Sequence, residues 1–382
     1  MRLTIDKVPF LKSWQLAERN VGTSSAVNTL TGVLCTAEGS QITLQATDLK
    51  TCLTCNAQGI TVERDGSAVF PVKVVGDIFK KIPAKQFTVE VSEGSALITA
   101  GRNKYRFGTY RVEEFPRIPS SATGEYYCDL SCGELLRVLG EGSISGSVND
   151  EFPQYLSGAS LQLEEGRLTV AATDTRRLSL SRTMVREGTQ GTQLVLPIRG
   201  LRELGRVLSS CEGEDPVRIL VDGAQAFFQF PGGEFSVRRI DTKFPAYEKF
   251  LAKDRTTWMV MDKDALLAAV ERMDLVVRDF TRMVVLQLSP AGSLHISAQA
   301  PEVGDAVEEL DAEIDGEPLR IAFNVRFLLD GLKAVSGTLV HLSFNGSVGQ
   351  MTMSRPDDDA FLYVAMPIAL SEEDVLSGEN AL

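Results

Sequence analysis

Two periodicities of apolar and polar residues alternate along the chain. Stretches in which every second residue is apolar predict half-buried strands, and Glu-Gly, Asp-Gly and Gly-Gly pairs between them predict turns. The strand-like stretches include residues 41–46, 96–100, 159–163, 167–172, 226–230, 235–240, 284–288 and 294–298. Stretches with helical spacing interrupt them. The pattern therefore predicts an α+β chain with antiparallel sheets.

One helical pattern occurs three times, at residues 70–82, 196–208 and 323–335. A repeat this long indicates a duplicated domain, not a solenoid unit of about 20–50 residues. Seven residues are about two helical turns, so residues seven apart lie on one helix face, roughly 10 Å from each other. Each copy has basic residues at its fourth and eleventh positions, namely Lys73 and Lys80, Arg199 and Arg206, and Arg326 and Lys333.

Other markers repeat with a similar spacing. Further helical stretches open each third at residues 8–21, 131–139 and 263–276, and an apolar residue followed by proline closes each at 115–116, 244–245 and 366–367. We therefore predict three tandem domains at residues 1–123, 124–252 and 253–370, each with two helices and about eight strands. An acidic tail follows at residues 371–382.

The net charge of −12 changes the picture only in part. An acidic balance taken alone argues against nucleic acid, because DNA-binding domains are usually basic. The acidic runs lie at residues 302–317 and 372–379, however, whereas the three repeated helices are basic. An acidic exterior would repel DNA and leave the basic helices as its only favourable location.

The sequence offers no pattern typical of catalysis or metal binding. It contains no phosphate-binding glycine loop, no zinc-protease motif and no nucleophile elbow. Cys52 and Cys55 have a suggestive spacing, but a zinc site needs further ligands and the chain has two histidines. We predict buried thiols, no cofactor and no metal. The absence of a signal-peptide pattern and of about 18 consecutive apolar residues favours the cytoplasm.

Five local motifs give the chain a recognisable likeness. They lie at residues 155–158 (YLSG), 172–178 (ATDTRRL), 244–251 (FPAYEKFL), 324–330 (NVRFLLD) and 363–370 (YVAMPIAL). With these motifs the chain resembles the bacterial sliding clamps, the beta subunits of DNA polymerase III, over nearly its whole length. The resemblance implies a head-to-tail homodimer, a ring of six domains with duplex DNA inside, and an accessory role without a catalytic site.

The repeated basic residues are the predicted DNA contacts. A solvated helix face would explain any one of them, but recurrence in three copies favours a surface that meets phosphates. Asp77 and Asp330 interrupt this surface. The predicted DNA-facing residues are Lys12, Lys73, Lys80, Lys81, Arg137, Arg199, Arg202, Arg206, Arg326 and Lys333.

The resemblance also implies an apolar pocket for short peptides of partner proteins. Those partners would be the replicative polymerase's catalytic subunit, the clamp-loader ATPase, other polymerases and repair proteins. An interdomain core is the alternative explanation for the same residues. The implied lining is Leu156, Thr173, Thr175, Arg177, Leu178, Pro245, Lys249, Phe250, Val364, Ala365, Met366, Pro367, Ile368 and Leu370.

The chain departs from the common family pattern at three positions of this region. Thr175 and Arg176 replace the commoner Gly-His, and Ala369 replaces a common arginine. The tail at residues 371–382 extends beyond the usual end of the family, and we hypothesise that it modulates access to the pocket.

A basic and aromatic stretch at residues 102–107 predicts an exposed edge strand, and the resemblance implies that this edge joins two subunits. Opposite charge on the third domain would orient docking and apolar contacts would hold it, although protective charges on an ordinary edge strand are an alternative. The predicted interface residues are Arg102, Lys104, Tyr105, Phe107, Leu275, Val276, Glu302 and Asp305. A divergent scaffold that binds only proteins remains the alternative function.

Overall fold

The computed structural model describes residues 1–23, 27–188, 193–251, 254–301, 303–356 and 358–370, without the side chain of Phe250. Within these ranges each third has two α-helices, as the sequence predicts. They are α1 (Lys7–Glu18), α2 (Val72–Lys81), α3 (Cys132–Gly142), α4 (Ile198–Leu208), α5 (Lys263–Val277) and α6 (Val325–Ala334). None of these helices has the length and apolar character needed to cross a membrane.

Each third also has nine strands among the described residues. The first third has β1 (Arg2–Asp6), β2 (Gly32–Glu38), β3 (Gln41–Thr47), β4 (Thr51–Asn56), β5 (Ile60–Arg64), β6 (Gly66–Pro71), β7 (Gln86–Ser92), β8 (Ser95–Ala100) and β9 (Asn103–Gly108). The second has β10 (Glu125–Ser131), β11 (Gly158–Glu164), β12 (Arg167–Thr173), β13 (Arg177–Met184), β14 (Glu187–Gly188), β15 (Leu194–Pro197), β16 (Pro216–Val221), β17 (Gln225–Phe230) and β18 (Gly233–Arg238). The third has β19 (Thr257–Asp262), β20 (Met283–Ser289), β21 (Ser293–Ala300), β22 (Gly304–Asp311), β23 (Glu313–Gly316), β24 (Leu319–Asn324), β25 (Leu339–Phe344), β26 (Met351–Ser354) and β27 (Phe361–Ala365).

The threefold repeat is visible in individual backbone hydrogen bonds. One bond beyond the last strand of each third ties the chain back to the strand that precedes its second helix. These bonds run from the amide of Tyr110 to the carbonyl of Val69 (2.9 Å), from Ile240 to Val195 (2.8 Å) and from Ile368 to Ala322 (2.8 Å). The predicted domain repeat is therefore confirmed at the level of hydrogen bonding.

The chain divides into two compact units. The first comprises the described residues of Met1–Leu136, Val185–Gly191 and Arg199–Arg239. It contains a five-stranded sheet in the order β5-β1-β7-β8-β9 and a nine-stranded sheet in the order β14-β10-β16-β17-β18-β4-β3-β2-β6. Antiparallel pairing of β18 with β4 joins the strands of the first and second thirds within this unit.

The second unit comprises the described residues of Arg137–Met184, Thr192–Ile198 and Ile240–Leu382. Its sheets have the orders β15-β11-β12-β13-β27-β26-β25-β19-β23 and β22-β21-β20-β24. Antiparallel pairing of β13 with β27 joins the second and third thirds, as β4 and β18 do in the first unit.

Apolar helix faces pack on these sheets. In the first unit, Trp14 of α1 and Phe79 of α2 are buried, and their rings meet edge to face with centroids 5.0 Å apart. In the second unit, α6 lies close to β26 and β27, because a Cβ atom at Gly331 would be 2.8 Å from Cδ1 of Tyr363 and 3.1 Å from Sδ of Met353. Glycine at position 331 is what permits this close approach.

The cysteines lie within the packed units as free thiols. Cys35, Cys52, Cys55, Cys128 and Cys132 are buried and Cys211 is partly buried. Burial raises the pKa of Cys35, Cys55 and Cys128 to about 12, so these thiols stay protonated at neutral pH. The prediction of small buried thiols is confirmed for five of the six cysteines.

A buried carboxylate organises polar contacts in the second unit. Glu141 of α3 accepts hydrogen bonds from Arg137 (3.0 Å), Arg355 (2.9 Å) and the hydroxyl of Ser181 (2.5 Å). The side chain of Glu141 is 5 % exposed and that of Arg355 is 13 % exposed. Opposite charges in such a protected site depend on one another, because losing one leaves the other desolvated.

We expect Glu141→Gln to lower the free energy of unfolding by about 3 kcal/mol, because Arg137 and Arg355 both lose a buried ionic partner. Urea denaturation followed by tryptophan fluorescence in a Trp14→Phe background, where Trp258 is the reporter, measures the change in the second unit. Glu271→Gln is the control: it breaks an exposed 2.9 Å pair with Lys333 in the same unit, and we expect it to cost less than about 1 kcal/mol. Equal losses in the two variants would contradict the role of Glu141.

Candidate functional site

The predicted DNA-facing residues of α2, α4 and α6 lie on the exposed sides of these helices. Lys73, Lys80, Lys81, Arg199, Arg202, Arg206, Arg326 and Lys333 are all exposed, as is Lys12 on α1. The opposite sides are buried, through Val75 and Phe79 on α2 and through Leu328 and Leu332 on α6. Each helix follows a buried strand directly, so its register fixes which residues face outward.

The second basic position of each copy is paired with a carboxylate. Lys80 Nζ lies 2.6 Å from Oε1 of Glu18, and Lys333 Nζ lies 2.9 Å from Oε1 of Glu271. Arg206 binds Glu203 on its own helix. These carboxylates offset part of the positive charge at the eleventh position of the pattern.

The first basic position of the pattern differs from the second in two copies, at Lys73 and Arg326. The side chains of Lys73 and Arg326 form no hydrogen bond or ion pair with the described part of the chain. Arg137, in contrast, is partly buried and bound to Glu141 and to the carbonyl of Arg182 (2.9 Å). That Arg137 contacts DNA stays a prediction, and the same holds for the other predicted DNA-facing residues.

Two neighbouring strand ends of the second unit bring several of the predicted pocket residues together, those at the start of β13 and at the end of β27. Arg177 pairs with Ala365 and Leu178 with Val364 in the ladder between β13 and β27. The amide of Met366 donates to the carbonyl of Arg176 (2.9 Å), so the segment after β27 continues along the turn before β13. This turn has a fixed shape, because Asp174 accepts from the amides of residues 176 and 177 at 3.1 and 3.0 Å.

Thr175 occupies a left-handed conformation within that turn, with φ of +75°. Thr173 Oγ1 accepts from the amide of Thr175 (3.1 Å) and donates to the carbonyl of Arg177 (2.7 Å). A β-branched residue is uncommon at positive φ. The surrounding hydrogen bonds hold Thr175 there.

The predicted pocket residues range from buried to exposed. Buried residues are Leu156, Leu178, Val364 and Ala365, partly buried ones are Thr173, Arg177, Pro245, Pro367, Ile368 and Leu370, and exposed ones are Thr175, Lys249 and Met366. The side chain of Phe250 lies outside the described part of the structure, and so does the tail at residues 371–382. The hypothesis about the tail stays untested.

An aromatic cluster that the sequence did not predict supports this region. Phe244 and Tyr247 are buried in one apolar cluster with Leu178 and Val364, and Tyr155 packs against it. Burial raises the pKa of Tyr247 to about 12, which keeps its phenol neutral. The motif at residues 244–251 was visible in the sequence, but its aromatic residues lie in an irregular segment and a short 3-10 turn, where no periodicity marks burial.

Arg177 makes contacts that the sequence did not reveal. Its Nε donates to Asp174 (2.9 Å), its Nη1 donates to Asp330 of α6, and the same Nη1 lies 3.4 Å from the hydroxyl of Tyr363. The guanidinium carbon lies 4.7 Å from the ring centroid of Phe327. Asp330 and Tyr363 are 153 and 186 residues away in sequence, so no local pattern could indicate them.

The predicted interface residues lie on two edge strands. β9 is an edge of its sheet in the first unit, and β22 is an edge of its sheet in the second. Lys104 and Arg106 are exposed on β9 while Tyr105 and Phe107 are partly buried, and Arg102 is exposed in the turn before them. Asp305 is exposed on β22, Leu275 is 62 % exposed on α5 and Val276 is partly buried. Glu302 lies outside the described residues.

Comparison with known proteins covers the chain almost completely. Family models for the N-terminal, central and C-terminal domains of the DNA polymerase III beta subunit match residues 1–119, 130–246 and 248–369. The beta sliding clamp of Pseudomonas putida is 31 % identical over 374 residues, which is 97 % of this chain and all of that protein. That of Synechococcus elongatus is 30 % identical over 313 residues, covering 81 % of this chain and 83 % of that protein.

Solved structures agree with the family models. The sliding clamp of Pseudomonas aeruginosa, solved with griselimycin bound, superimposes with a TM-score of 0.90 at 29 % identity, covering 97 % of this chain and 100 % of that one. Three matched domains and full-length relatives thus give the same answer as the internal repeat. The chain belongs to the DNA polymerase III beta subunit family, the beta sliding clamps, which are accessory processivity subunits rather than catalytic ones.

Proposed function

We propose that two copies of this chain close head to tail into a ring that encircles duplex DNA without reading its sequence. The observation that carries the proposal is the exposed basic pair that recurs on α2, α4 and α6. Duplex DNA presents about one phosphate charge per 1.7 Å of its axis, and phosphate contacts carry no sequence information. Retention then depends on topology, which permits sliding.

The basic positions contribute unequally to this contact. Lys73 and Arg326 offer their full charge to phosphate, because no described residue neutralises them. Lys80 and Lys333 must share theirs with Glu18 and Glu271. Lys12, Lys81, Arg199, Arg202 and Arg206 add positive charge to the exposed faces of their own helices, and Arg137 contributes least because Glu141 holds it.

The subunit interface follows from the internal repeat. β4, β13 and β22 are equivalent strands of the three thirds, and so are β9, β18 and β27. Two of the possible pairs, β18 with β4 and β27 with β13, form within the chain. β9 and β22 remain at sheet edges. Pairing β9 with β22 of the partner subunit completes the series, and in a head-to-tail ring it covers both edges.

The repeat also fixes the register of this pairing. Tyr363 lies opposite Ser179 in the second unit. Tyr105 is equivalent to Tyr363, because each lies five residues before the hydrogen bond that recurs beyond the last strand. Ala306 is equivalent to Ser179, because both lie opposite matching alanines of the preceding strand. Tyr105 is therefore expected opposite the partner subunit's Ala306, a large side chain against a small one.

This register brings opposite charges together. Arg106 lies directly opposite the partner subunit's Asp305, and Lys104 lies diagonal to it. Opposite charges in facing positions of an antiparallel ladder stabilise it, and like charges destabilise it. Phe107 lies opposite the partner subunit's Gly304. Arg102, Leu275, Val276 and Glu302 complete the proposed interface.

The strand ends around Leu178 and Val364 are the proposed site for partner peptides. A buried apolar wall with an exposed methionine at its rim can accept varied leucine and phenylalanine side chains. We infer that the replicative polymerase's catalytic subunit, the clamp-loader ATPase, other polymerases and repair proteins bind there. The ATPase would open the ring. Domain boundaries at residues 123/124, 252/253 and 370/371 and a cytoplasmic location fit this role in replication.

A clamp loaded on nicked circular DNA should be released when the DNA is linearised, whereas a scaffold that binds only proteins would show no such difference. In a separate binding assay, we expect Lys73→Ala with Arg326→Ala to reduce DNA affinity more than Lys80→Ala with Lys333→Ala does. Fluorescence anisotropy at several salt concentrations measures this, since the salt slope falls by about 0.9 per lost phosphate contact. Equal slopes for the two double variants would contradict the unequal roles.

Arg106→Asp and Asp305→Arg should each weaken the dimer at least about tenfold, because each places like charges opposite one another. The two changes together should restore dimerisation, which sedimentation velocity measures against the 41.6 kDa monomer. Arg64→Asp, on the opposite edge strand of the same sheet, is the control and should leave the dimer intact. Failure of the double reversal to recover the dimer would show that the register is wrong.

Met366→Glu should weaken a labelled peptide from the polymerase catalytic subunit at least about tenfold, because a charge at the rim disfavours apolar burial. Met184→Glu is the matched control, since Met184 is 63 % exposed on β13 away from the pocket and Met366 is 45 % exposed. Titration of the labelled peptide with each variant, followed by fluorescence anisotropy, measures the two affinities. The same affinity for both variants would exclude this site.

A further inference from the structure

An acidic residue stands at the same place in all three basic helices. The eighth position of the pattern is Asp77, Glu203 or Asp330, between the two basic positions. A carboxylate on a surface that meets phosphates opposes DNA binding, so the contacts of each of these three carboxylates are informative. Asp77 lies 4.0 Å from Lys81 and Glu203 binds Arg206, both on their own helix. Asp330 instead reaches off its helix to Arg177 of β13.

The Arg177 side chain is held from several sides. It is 13 % exposed, while that of Asp330 is 46 % exposed, so the pair extends from solvent into the pocket wall. Asp174 binds Nε and Asp330 binds Nη1, and the guanidinium lies over the ring of Phe327. Nη2 is the guanidinium nitrogen without a partner in the described part of the chain.

The equivalent junction of the first unit is built differently. Thr51 stands at the position of Arg177, and Gly200 at that of Phe327. A Cβ atom at Gly200 would lie 2.5 Å from Cγ2 of Val237 and 3.5 Å from Cγ2 of Thr51. Direct packing fills that junction, whereas an ion pair spans the one in the second unit. The place of the Arg177 guanidinium therefore depends on the two carboxylates that bind it, those of Asp174 and Asp330.

We propose that Asp330 is a positioning residue of the partner-peptide pocket, whose carboxylate holds the Arg177 guanidinium against Phe327 so that Nη2 can donate to an acceptor of the bound peptide. This inference rests on the proposed pocket. It explains why a negative charge is kept on the DNA-facing helix α6: the charge weakens phosphate contact and serves the pocket. Arg177 is the group that touches the peptide, and Asp330 acts through it.

Asp330→Asn tests the role of the charge, since it keeps the size of the side chain. We expect the labelled polymerase peptide to bind about tenfold more weakly, because a hydrogen bond to a charged group is weakened. DNA affinity should rise in the same variant, because one negative charge leaves the surface. A merely structural loss would instead lower both affinities together.

Asp77→Asn is the matched control, because it makes the same change at the equivalent position of α2. It should raise DNA affinity to a similar extent and leave peptide affinity unchanged. A further cycle combines Arg177→Lys with Asp330→Asn: the second change should add little once Arg177 is replaced. The cycle compares the effect of Asp330→Asn on peptide affinity with and without Arg177. It therefore tests whether Asp330 acts through Arg177 even if Asp330→Asn also lowers the melting temperature.

Two results would overturn the proposal. One is unchanged peptide affinity in Asp330→Asn while Met366→Glu weakens it, which leaves the pocket standing and removes the role of Asp330. The other is that the losses of peptide affinity caused by Arg177→Lys and by Asp330→Asn add fully in the double variant. If Met366→Glu has no effect either, the pocket itself is wrong.

Discussion

The unpaired edge of a β-sheet is the constraint on which the rest of this structure depends. Each third ends one sheet on a strand of the β4 type and another on a strand of the β9 type. Backbone N–H and C=O groups along such an edge need partners. The chain satisfies them within itself at β18 and β4 and at β27 and β13, with the same antiparallel sense. Three repeats in one chain necessarily leave one edge of each type.

Charge acts on top of this backbone requirement. β9 carries Lys104 and Arg106, whereas β22 carries Asp305, Glu308, Glu309 and Asp311. In the proposed dimer these charges would make two β9 strands or two β22 strands repel each other, whereas β9 and β22 would attract. Glu308 is already bound to Arg272 of α5 at 2.6 Å, which holds the pKa of its carboxyl below the usual value. In the proposed dimer, Asp305 is the acid of β22 that faces Arg106 of the basic partner strand.

Periodicity predicted the helices and strands well, because it reports which local face is buried. All six helices and the eight strand-like stretches overlap observed elements. It could not predict which elements meet: Arg355 lies 214 residues from Glu141, and Asp330 lies 153 residues from Arg177. The pocket was assigned only through motifs shared with a family. The burial of Phe244 and Tyr247 could not be predicted, because both lie in irregular backbone that has no periodic pattern of apolar residues.

Duplication explains why the two internal junctions can differ while their backbones agree. The turns before β4 and β13 have the same hydrogen bonds, with Thr47 and Thr173 accepting from residues at positive φ, Leu49 and Thr175. The ladder needs only this backbone, so the side chains above it were left to diverge. Glycine and threonine close the first junction by contact. Phenylalanine and arginine fill the second junction, where Asp174 of the turn and Asp330 of the outward-facing helix α6 both bind the arginine.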